Sequence, residues 1–119
     1  MAESIMLDKA KDFAVEIINL CKNVKESKKE SVITNQLMRS GTSIGANIHE
    51  SKYAHGTNDF ISKMQIALKE CYESEYWLEL LVRTEYISNE EYKTIINNCG
   101  QIRRMLISSI NTVKEKKQK

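Results

Sequence analysis

The chain has 119 residues, of which 41% are hydrophobic and 29% charged, with a formal net charge of +2. That balance excludes a disordered chain, the size suits one domain over residues 1–119, and no apolar run reaches the roughly 18 residues of a membrane span. Zero proline and four glycines leave long segments without breakers, which favours helices.

The first predicted helix covers residues 4–25, where Met6, Ala10, Phe13, Ile17, Leu20, Cys21 and Val24 recur at helical spacing. The opening Met-Ala-Glu-Ser-Ile-Met is too polar for an export signal, so the cytoplasm is the expected compartment. The polar residues 26–30 make the first turn. A second helix over 31–54 starts at Ser31 or Thr34 and aligns Ile33, Leu37, Gly41, Ile44 and Ile48 on one face. Gln36, Arg39, Ser43, Asn47 and Glu50 fall on the adjoining face, and His55-Gly56-Thr57 ends the helix.

A third helix over 58–83, capped by Thr57 or Asn58, turns Phe60, Met64, Ala67, Cys71, Leu78 and Val82 inward. A fourth over 88–114 opens with Ser88 and Glu91 in capping-box spacing and buries Tyr92, Ile95, Cys99, Ile102, Leu106, Ile110 and Val113. No segment alternates with the period of a strand. Four amphipathic helices with short connections predict an all-α, antiparallel up-down-up-down four-helix bundle.

Little in the chain suggests catalysis. Cys21, Cys71 and Cys99 are far apart and fall on apolar stripes, which suits buried free thiols better than a metal or redox pair. His49-Glu50 begins a zinc-like H-E-x-x-H motif, but Tyr53 stands at its second histidine. His49 and His55 are expected on the surface. Bundle ribonucleases of the HEPN type place a histidine four to six residues after an arginine, whereas Arg39 precedes His49 by ten and Arg104 has none after it. The expectation is a non-enzymatic protein without metal or cofactor.

Glu75 lies on the inward side of the third helix, where a carboxylate requires a partner. Arg39 and Arg103 are the expected partners, and Ser43, Asn47 and Glu50 would extend a polar network that fixes helix register. Ile66, Tyr76, Trp77 and Leu80 form a second stripe turned away from the core, which suits an interface or, equally, packing on a neighbouring segment of the chain. Charge is uneven: residues 58–91 carry three basic and eight acidic groups, and residues 92–119 seven and one. Arg104, Lys114, Lys116 and Lys117 are therefore the expected contacts for nucleic acid, set against the simpler reading of a solvated helix end.

The run Gln36-Leu37-Met38-Arg39-Ser40-Gly41-Thr42-Ser43-Ile44-Gly45-Ala46-Asn47-Ile48-His49-Glu50 also resembles a family signature, Q-L-x-R-[SA]-x-x-S-I-x-A-N-I-x-E. It is that of the bacterial four-helix-bundle proteins encoded by 23S ribosomal RNA intervening sequences, which include accessory variability determinants of diversity-generating retroelements. Residues 59–63, 67–70 and 75–81 are similar to the same family, and the likeness runs from about Phe13 to Tyr86. It implies a ring-shaped homopentamer, and it implies RNA or a nucleic-acid-processing protein such as a reverse transcriptase as a partner. His49 and Ser51 replace the small residue and glycine usual after Asn-Ile, and the chain is less basic than the retroelement members. A protein-interaction module that never touches nucleic acid is the alternative.

Overall fold

The computed structural model describes residues 2–118, as four helices: α1 (Ala2–Lys28), α2 (Val32–Ser51), α3 (Thr57–Arg83) and α4 (Asn89–Gln118). There is no strand among the described residues. Each helix packs on its successor and α4 returns to α1, while the diagonal pairs make no close backbone approach. With short connections, that ring of neighbours is the antiparallel up-down-up-down bundle. The result is a rod of 52 × 22 × 20 Å.

Helical periodicity brings one stripe from each element to the axis. Phe13, Ile17 and Cys21 of α1 meet Leu37, Ile44 and Ile48 of α2, Met64, Cys71 and Leu78 of α3, and Ile102 and Leu106 of α4, all nearly inaccessible. Leu20, Ile33, Phe60, Val82, Tyr92 and Val113, expected inside, lie half-buried against the core's edge. Polar residues take some of the inner positions instead. Ser40 and Ser74 are fully buried and their hydroxyls meet 2.9 Å apart across α2 and α3, so neither is left unsatisfied.

The helix ends show which local signals governed. Ser88 Oγ accepts the Glu91 N–H at 3.1 Å and Glu91 Oε1 accepts the Ser88 N–H at 2.9 Å, completing the expected capping box of α4. At the start of α2, Ser31 contributes no side-chain cap. Glu30, one residue earlier, does so: its carboxylate accepts the N–H groups of Ile33 at 2.8 Å and Thr34 at 2.9 Å. Lys29, with φ of 59°, turns the chain so that Glu30 faces back over the helix. Gly56, with φ of 137°, provides the turn into α3, a conformation side chains disfavour.

Candidate functional site

The polar residues expected to form one network divide into separate ties. Arg103 Nε donates to Glu75 Oε2 at 2.9 Å, linking α4 to α3 with both side chains about three-quarters buried. This hydrogen bond holds the Arg103 guanidinium above its usual pKa. Arg39 is not a partner of Glu75. It reaches Glu70 at 3.2 Å and also pairs with Glu73, because its α2 position faces the opposite flank of α3. Glu50 pairs with Lys63 at 3.0 Å. Ser43 and Asn47 turn back onto their own helix, donating to the carbonyls of Arg39 at 2.6 Å and Ser43 at 2.9 Å. A carbonyl one turn back is within reach of a short helical side chain, and for these two it takes the place of a partner on the next helix.

The second apolar stripe is present but uneven. Ile66 and Tyr76 are 41% and 56% exposed. Trp77 and Leu80, expected to point outward with them, are half-buried, and Trp77 packs against the core. The Trp77 indole Nε1 donates to Glu73 Oε2 at 3.0 Å, and its ring meets Tyr76 edge-on at 5.0 Å. The Arg39–Glu73–Trp77 chain thus fixes the indole along the seam of α2 and α3.

All four cations expected to meet nucleic acid, Arg104, Lys114, Lys116 and Lys117, are exposed. They do not share one face. Lys114 and Lys117 line a groove towards α3 with Asn58, Ser62 and Gln65, and Lys117 bonds the Asn58 side-chain oxygen. Arg104 and Lys116 border a groove on the other flank of α4, with Ser108, Ser109 and Thr112 between them. Lys119 lies outside the described residues.

His49 and His55 are both exposed, the first edge-on to Tyr53 at 5.6 Å. The three cysteines are buried and free. Burial pushes the Cys21 thiol up to about 11. Hydrogen bonding with Cys71 and burial raise the Cys99 thiol further, so neither offers a thiolate nucleophile near neutral pH. Among the described residues no helix is long and apolar enough to cross a membrane.

Sequence reasoning passed over Tyr72 and Gly100. Tyr72 is 52% exposed, and the Arg103 guanidinium carbon lies 5.9 Å from its ring centre. Gly100 supports that arrangement, since a Cβ there would meet Arg104 Nη1 at 3.3 Å and Arg103 Nη2 at 3.4 Å. The available signal was an aromatic one turn from Tyr76 on a helix flank already rich in polar groups.

No curated protein matches the sequence. Residues 2–108 match the family described as 23S rRNA-intervening sequence protein. Among solved structures, the chain is similar to a protein of unknown function from the S23 ribosomal protein family of Bacteroides thetaiotaomicron VPI-5482. That likeness has a TM-score of 0.92 at 51% identity and covers 93% of this chain and 99% of that one. The signature on α2 and the bundle architecture agree with these matches, and the chain belongs to the 23S rRNA-intervening sequence protein family.

Proposed function

We propose that the protein is a non-enzymatic, cytoplasmic homo-oligomer, a pentameric ring, that acts as an RNA-associated scaffold or accessory factor. The observation that carries the nucleic-acid part is the exposure of Arg104, Lys114, Lys116 and Lys117, none of which pairs with a carboxylate among residues 4–117. Cations along the second half of α4 release counterions from phosphates on binding. The family's description in terms of 23S rRNA supports RNA as the partner. The exposed Ile66 and Tyr76 support self-association, and the number five follows from the family resemblance. A ring would repeat a modest patch around its axis, so weak contacts add through avidity.

Titration of the purified protein with RNA across a range of salt concentrations tests the proposal. The full-length chain should bind with affinity that falls steeply as salt rises, and with little sequence preference. Deleting residues 114–119 should weaken binding and flatten the salt dependence while the bundle stays folded. Equal binding by both chains, or no binding at low salt, would instead favour a module that docks another polypeptide.

A further inference from the structure

Two ties bound a stretch of the groove between α3 and α4: Glu75 with Arg103 at one end and Asn58 with Lys117 at the other. Along α3 that stretch is about 25 Å long at helical rise. At the Asn58 end lies a cavity of about 570 Å³ whose polar lining is amides, a hydroxyl and two ammonium groups, with no carboxylate. At the other end Tyr72 is 52% exposed with Arg103 over its ring, and Arg103 and Arg104 converge above Gly100. Arg103 neutralises Glu75, and the cations that face the Asn58 end, Lys114 and Lys117, have no carboxylate lining beside them. The groove between α1 and α4 contrasts with it, being lined by Glu16, Glu90 and Glu91.

We propose that the α3–α4 groove is a track for single-stranded nucleic acid, in which Lys114 and Lys117 hold phosphates, the Tyr72 ring stacks a base, and the Asn58 and Gln65 amides meet base edges. The assignment deepens the RNA association proposed above and rests on it. An exposed aromatic ring beside cations offers nothing to a duplex, whose base faces are hidden, but offers a platform to unpaired bases. Arg103 flanks that platform as a positioning residue, held by Glu75 with its guanidinium carbon 5.9 Å from the Tyr72 ring centre. Arg104 and Lys116 line the opposite flank of α4 and fall outside the track.

The test uses the full-length protein and fluorescence anisotropy with a labelled RNA of about 12 nucleotides, single-stranded or annealed to its complement. Single strand should bind more tightly than duplex. Tyr72→Ala should weaken single-strand binding about tenfold, Tyr72→Phe should not, and the paired change Lys114→Gln with Lys117→Gln should cost more than Lys116→Gln. Tyr72 is exposed, so circular dichroism should show the bundle intact in each variant. If RNA binds and the loss of residues 114–119 weakens it, yet Tyr72→Ala stays within about twofold of the parent or duplex competes equally, the track is wrong and the broader association stands. If no RNA binds at low salt, both fail.

Discussion

Gly41 of α2 sits so close to Ile17 of α1 that a Cβ added to the glycine would lie 2.9 Å from Ile17 Cγ2. Ile17 is completely buried, so its side chain has no free space into which to retreat. One turn later Gly45 faces Ala10, but there an added Cβ would meet the alanine Cβ at an ordinary 3.5 Å. The two glycines of the signature therefore do different work. Gly41→Ala should destabilise the bundle by about 1–3 kcal/mol through overpacking, more than its gain in helix propensity. Gly45→Ala should be neutral or stabilising by up to about 1 kcal/mol. Urea unfolding of the two variants checks this, and a Gly41→Ala protein as stable as the parent would contradict the tight α1–α2 approach.

The Glu75–Arg103 tie makes a directional prediction. Glu75→Leu removes the acid from a half-buried site and leaves Arg103 over the Tyr72 ring with its edge in water. Arg103→Ala leaves the carboxylate half-buried without its partner. The first should cost less than about 1 kcal/mol and the second about 1–3 kcal/mol. Arg39→Ala removes a side chain 49% exposed but strands Glu70, only 14% exposed, so it should cost about 1–3 kcal/mol, as Arg103→Ala does. Thermal or urea melts rank the three, and a larger loss for Glu75→Leu than for Arg103→Ala would refute the argument.

The fold was legible because periodicity and capping report on local structure. Met6 through Val24, Leu37 through Ile48 and Ile95 through Ile110 name their buried faces by spacing alone, and Ser88 with Glu91 closes its cap within one turn. The choice between flanks of a helix was harder to read. Arg39 and Arg103 both lie at stripe edges, but only their α3 neighbours decide that one meets Glu70 and Glu73 and the other Glu75. Ser40 and Ser74 carry no burial signal singly, and become a core pair only once α2 and α3 are side by side. Tyr72 escaped notice because its meaning depends on Arg103 and Gly100, 31 and 28 residues away in sequence.

Acid should reveal the role of Glu30. Burial alone would raise its carboxyl, but the backbone N–H groups of Ile33, Thr34 and Val32 and the Thr34 hydroxyl outweigh it and hold the pKa below the usual 4.5. A carboxylate whose pKa is lower folded than unfolded contributes stability that is complete above 4.5 and lost as pH falls through the folded value. Glu30→Gln keeps one acceptor without the charge, so it should cost about 1 kcal/mol at neutral pH. That difference should shrink on acidification below 4.5, where the parent carboxyl takes up its proton. A difference that stays constant down to the acid transition would show that Glu30 is not the cap of α2.

Self-association should depend on the exposed members of the α3 stripe. Ile66 and Tyr76 present apolar surface to solvent, and covering such side chains in a second copy contributes on the order of 1–2 kcal/mol each. Ile66→Glu and Tyr76→Glu would place a carboxylate in that contact without disturbing the core, so both should shift the protein towards monomer with its helical content unchanged. Trp77→Glu differs in kind. The indole packs against the core and donates to Glu73, so the substitution removes internal packing and puts one carboxylate beside another. It should therefore lower the melting temperature as well as the oligomer mass. Light scattering with parallel thermal melts separates the two effects. A parent protein that is monomeric at high concentration would remove the oligomer from the proposed function, and oligomers unaffected by glutamate at both 66 and 76 would move the interface to another face of the bundle.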